Sequence, residues 1–78
     1  MGNGAFLGPS LQRQALAFAR SGVTVTVALE GGFFIRGKIA DVDINAFRMS
    51  IIATNIPGLV VGNIATINFR EVLVISTT

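Results

Sequence analysis

Apolar and polar residues alternate with a period of two from Val23 to Leu29: Val23, Val25, Val27 and Leu29 fall on one side, Thr24, Thr26 and Ala28 on the other. This is the pattern of a half-buried strand, and its β-branched side chains suit a pleated surface. Glu30-Gly31-Gly32 follows as a polar, conformationally permissive turn. Beyond it Phe33, Ile35 and Ile39 continue an apolar face while Phe34, Arg36 and Lys38 take the other, so the two runs predict a hairpin. Between Ile39 and Val42 the apolar spacing changes from two to three. Strict alternation would turn Val42 to solvent, and a bulge near Ala40 and Asp41 brings it back. Gly37, with no Cβ to crowd the concave side, suits a strong bend there. Phe47, Met49 and Ile51 then alternate with Arg48 and Ser50, giving a third antiparallel strand that ends at Ile51.

Upstream the period changes. Pro9 suits a first helical turn, and Leu11, Ala15 and Phe18, with Leu16 and Ala19, form a stripe at helical spacing. Arg20 in the last turn and Gly22 just past it complete a helix of about three turns. Gln12, Arg13, Gln14 and Arg20 are left as a solvated face or as contacts for a polyanion. The small, glycine-rich start predicts a flexible arm over residues 1–8, followed by a single domain over residues 9–78.

Downstream, Asn55 and Pro57-Gly58 mark a turn. Leu59 to Phe69 reads as a fourth strand with a possible break at Gly62-Asn63, and Val72 to Ile75 as a fifth with no polar side. A strand apolar on both sides must be covered on both sides. Left bare at a sheet edge it would aggregate; paired with the edge of a second copy it makes a head-to-tail contact that closes into a ring if the rotation permits. The fold expected is therefore all-β, a small, bent five-stranded antiparallel barrel with a short N-terminal helix.

Composition sharpens this expectation. Of the 78 residues 51% are hydrophobic and only 13% charged, yet a domain of this size hides only about 60–65% of the surface its unfolded chain exposes. So much apolar surface predicts an oligomer. With no cysteine and no histidine, disulfides and every thiolate- or imidazole-based site or catalytic arrangement are excluded. Asp41 and Asp43 are the only close carboxylate pair and lack a third ligand, so no enzyme, metal or cofactor is expected. The isoelectric point near 10.6 carries little weight. Net charge is only +2, and no Tyr, Cys or His is present to buffer it.

No secretory signal or myristoylation motif is expected from Met-Gly-Asn-Gly, with Phe6 where the latter wants Ser or Thr. Met49 to Phe69 runs without a charge, but Asn55, Pro57-Gly58, Asn63 and Asn68 interrupt it as turn formers. A soluble, cytoplasmic protein without a membrane partner is expected.

Val25, Val27, Leu29, Gly32, Gly37, Ile39 and Asp43, followed by Ile67, Val72 and Ile75, resemble the two ungapped motifs of the Sm/LSm family, which includes the Hfq-like proteins. The resemblance covers residues 9–76. It implies a ring, here of five to seven subunits, in which the fourth strand of one copy pairs with the fifth of the next and single-stranded RNA binds around or near the pore. In direct register the family's Met-Asn becomes Ala46-Phe47; a one-residue deletion instead keeps Asn45-Ala46 in the loop and leaves Phe47, Met49 and Ile51 on the buried face. The family's Arg-Gly is Asn68-Phe69. By this resemblance the RNA-binding candidates are Asp43, Asn45, Asn68 and Arg70, with Arg36 and Lys38 as phosphate contacts. Arg36, Lys38 and Arg48 form either a basic stripe or a solvated sheet face. Phe33 and Phe34 are expected to pack rather than to stack on bases. The alternative function is a structural or protein-interaction ring that has dropped RNA.

Overall fold

A computed structural model describes residues 7–77, with side chains from Leu11 onward. Helix α1 (Leu7–Ser21) is followed by strands β1 (Thr24–Leu29), β2 (Phe33–Val42), β3 (Ala46–Thr54), β4 (Ile64–Asn68) and β5 (Val72–Thr77), with a 3₁₀ turn over Phe69–Glu71 between the last two. The helix starts ahead of Pro9, so residues 7 and 8 of the expected arm are helical, and the rest of that arm lies outside the described residues. Pro9 still falls in the first turn, where its missing N–H costs no helical hydrogen bond. At the other end Gly22 adopts φ +71° and donates its N–H to the Phe18 carbonyl at 3.0 Å.

The strands form one antiparallel sheet in the order β4-β3-β2-β1-β5. Alternation places Val25 and Val27 from β1, Ile35 and Ile39 from β2, and Phe47, Met49 and Ile51 from β3 in the core. Helix α1 adds Ala15, with Leu11, Phe18 and Ala19 packed beside it. Leu16 leaves the stripe and is exposed, because it sits a single residue past Ala15 and so about 100° around the helix. Phe33 is also exposed: it opens β2 at the hairpin turn, as the partner of Leu29 in the last rung of the ladder.

Two irregularities bend the sheet. The β2–β3 register shifts between Ile39 and Asp41, where the change of apolar spacing called for a bulge, and again between Arg36 and Gly37. At Gly37 a Cβ would collide with the Ser50 carbonyl oxygen of β3, so only glycine permits the strands to approach this closely. Topology requires the curvature as well. In a flat sheet the outer strands would lie about 19 Å apart, four spacings of about 4.8 Å. Asn68 and Val72 close that distance with a link that reaches at most about 14 Å. The sheet therefore curls toward itself, and among the described residues β4 and β5 each keep one edge without a strand partner.

The fourth strand is shorter than expected. Leu59 to Asn63 lies in turns, with Leu59 N–H on Ile56 O at 3.3 Å and Asn63 N–H on Val60 O at 3.1 Å. Gly58 at φ +90° and Gly62 at φ +96° close those turns on either side of Val60-Val61, overriding the β propensity of the two valines. β3 and β5 in turn run on past Ile51 and Ile75, to Thr54 and Thr77.

Candidate nucleic-acid interface

The loop between β2 and β3 is drawn tight by its own backbone. Asp43 N–H donates to Ala46 O at 2.7 Å, and the Asp43 carboxylate accepts the Ile44 N–H at 2.8 Å. Two other elements anchor to the same loop. Gln12 of α1 donates its side-chain amide to Asp43 O at 3.2 Å, and Phe69 N–H from the 3₁₀ turn donates to Asn45 O at 2.9 Å. Ala46 is also the register partner of Asn68. Helix, loop and 3₁₀ turn thus converge at one end of the sheet.

At that convergence Ile44, Asn45, Asn68, Phe69 and Arg70 line a hollow of about 380 Å³. Three of the sequence candidates, Asn45, Asn68 and Arg70, are brought together here. The lining carries two amides and one guanidinium and no acid, so it offers base-edge hydrogen bonding beside a positive charge. Phe69 contributes little stacking surface. Its ring packs on buried Phe47, centroids 5.1 Å apart and planes tilted by 42°. The exposed apolar group is Ile44, 75% accessible at the loop tip. Ile44 and Phe69 were not among the sequence candidates; an isoleucine between Asp43 and Asn45 in an otherwise polar loop was the available signal.

The remaining candidates lie elsewhere. Asp43 borders a neighbouring, smaller hollow with Asp41, Ala46, Phe47, Arg48 and Thr66, and its carboxylate is engaged in closing the turn. Arg36 and Lys38 stand on the outer face of β2, opposite Thr26 and Thr24 of β1, and line neither hollow. Arg48 does not extend them into a stripe of three free cations. It is the register partner of Asp41 and grips that carboxylate with two donors, Nε to Oδ1 at 3.0 Å and Nη2 to Oδ2. This hydrogen bonding holds the Asp41 carboxyl below the usual carboxylate range and raises the Arg48 pKa further. It is the one ion pair among the described residues.

Among the described residues no three His, Cys, Asp or Glu side chains cluster as a metal site. No helix among them is long and apolar enough to cross a membrane. Set against known proteins, the chain matches no family model and has no significant match among curated proteins.

Proposed function

We propose that this chain is a subunit of an Sm-like homo-oligomeric ring that binds single-stranded RNA, with the hollow beside the β2–β3 loop as its nucleotide site. The observation that carries the reading is the convergence of Asn45, Asn68 and Arg70, from two separate parts of the chain, on one acid-free hollow. Amides of this kind read the edges of unstacked bases, and a guanidinium holds the adjacent phosphate. Two sheet edges unpaired among the described residues support assembly, and β5, the strand at one of them, carries exposed Leu73 and Val74. In a ring the hollow recurs once per copy, so weak contacts along one strand of RNA add up. Arg36 and Lys38 supply longer-range attraction from the outer face. The reading involves no catalysis and belongs to the cytoplasm.

Fluorescence anisotropy with short poly-U and poly-A strands at about 0.1 M salt tests it. Binding is expected well below the roughly 10⁻⁴ M of non-specific association, with Asn68→Ala and Arg70→Gln together weakening it at least tenfold. Binding no tighter than that limit would remove the RNA role. One observation favours a second reading, a structural or protein-interaction ring: the inward-turned Phe69 leaves the hollow without an exposed aromatic. Its expected outcome is an intact assembly that ignores RNA.

A further inference from the structure

β3 is irregular where it meets Arg36. Arg36 pairs with Ala53 and Gly37 with Ile51, so Ile52 is an extra residue with no partner in β2. It lies on the outer face, away from buried Ile51, and is 49% exposed. Arg36 and Lys38, two apart on β2, point to that same face, and Lys38 faces Ser50, which in turn faces exposed Ile64 of β4. Beyond Ile52 the face runs on into a turn. Ile51 fixes it by donating its N–H to Asn63 O at 3.0 Å and accepting the Gly62 N–H at 2.8 Å. Just before Gly62, Val60 and Val61 stand 57% and 61% exposed.

Charge on this face has one sign. Arg36 and Lys38 are exposed and make no ion pair among the described residues, whereas Asp41, farther along, is held by Arg48. From Met49 to Phe69 the chain carries no charge at all. Shape narrows the partner further. The sheet curls toward its core, so the outer face is convex. Arg36, Lys38, Ile52, Val60 and Val61 line neither the hollow beside the β2–β3 loop, nor its smaller neighbour, nor the two hollows around Leu29 and Ile56. A peptide needs a groove or a strand edge, and RNA needs flat groups on which to stack. Cations beside protruding aliphatic side chains match instead a fluid layer that offers anionic groups above hydrocarbon.

We infer that the outer face around Arg36, Lys38 and the Val60-Val61 turn docks on an anionic lipid surface. The contact is peripheral: the two cations meet lipid phosphates while Ile52, Val60 and Val61 sink between the headgroups. It departs from the sequence expectation of no membrane partner. The turn formers that argue against a span at Met49 to Phe69 do not oppose a surface contact, because Gly58 and Gly62 build the turn that carries the valines. The site is separate from the nucleotide hollow, since β3 begins at the loop beside that hollow and ends at this turn. In an assembly the turn recurs in every copy, and weak contacts with one lipid surface add.

Co-sedimentation with vesicles of phosphatidylglycerol or of phosphatidylcholine tests this, at about 1 mM lipid and low salt, where the attraction is least screened. The unaltered chain is expected to pellet with the anionic vesicles and to stay in solution with the neutral ones. Replacing both valines, Val60→Asn with Val61→Asn, is expected to lower the partition coefficient about threefold. Replacing both cations, Arg36→Gln with Lys38→Gln, is expected to lower it about tenfold. All four side chains are exposed, so both variants are expected to fold, with circular dichroism as the check. If the asparagine pair does not fold, Val61→Asn alone takes its place. No pelleting with either vesicle, equal pelleting with both, or an asparagine variant that partitions like the unaltered chain overturns the inference. Displacement from the vesicles by an equal charge of poly-glutamate also overturns it, by assigning the face to an acidic protein.

Discussion

Asp41 and Arg48 face each other across β2 and β3 with both side chains in solvent. Such a pair is weak in stability and screened by salt, but it leaves a clear signature in titration. The hydrogen bond from Arg48 stabilises the charged carboxylate, so the folded-state pKa of Asp41 is lowered. A lowered carboxylate pKa contributes stability that is present above the ordinary value of the unfolded chain and is lost as pH falls through the folded value. An NMR titration of the Asp41 carboxyl is expected to show a midpoint below the ordinary range, returning to it in Arg48→Gln. An unchanged midpoint in that variant would dissociate the two groups. The same pairing explains why three cations in the sequence became two on the outer face: Arg48 looks identical to Arg36 until its cross-strand partner is known.

At the scale of elements, the close approach of β2 to β3 depends on one missing Cβ. Gly37→Ala would drive a methyl group into the Ser50 carbonyl oxygen, a backbone atom held in the β3–β4 register by its own pairing with Ile64. A cost of about 3 kcal/mol is expected, a large share of the roughly 4–12 kcal/mol available to a domain of this length. Urea denaturation measures it, with exposed Arg36→Ala on the same strand expected to change stability by about 0.5 kcal/mol or less. Strands β1 to β3 and the bend at Ala40 were legible because burial on one face imposes the period of two, and each departure from it marks a bulge. The extent of β4 was not: Val60 and Val61 have the side chains of a strand, and only the φ angles of Gly58 and Gly62 take them out of it. Arg70 and the two asparagines were named from a motif resemblance, whereas the involvement of Ile44 required knowing that the loop tip faces the 3₁₀ turn.

For the whole molecule, the consequence of curling is a sheet with ten-residue β2 at its centre and two short strands left half-paired at its margins. Hydrogen exchange is expected to reflect that arrangement. In dilute solution the amides on the free edges of Ile64–Asn68 and Val72–Thr77 should exchange fast, and those of β2 slowly. Raising the concentration into the assembled range should slow both margins together and leave β2 unchanged, as one new ladder per contact requires. Slowing at one margin alone would contradict a head-to-tail arrangement.

By itself the sequence determined the elements: which residues alternate, where the helix stops and where the third strand begins. Those properties follow from covalent geometry and from the free energy of burying one face, both of which act over a few residues. Tertiary structure decided the rest. It brought Asn45 to Asn68 and Arg70, engaged Arg48 with Asp41, put Arg36 and Lys38 on a different surface from the hollow and exposed Leu73 beside Val74. Each of these depends on the register between strands distant in the chain, and register is set by the whole sheet packing at once.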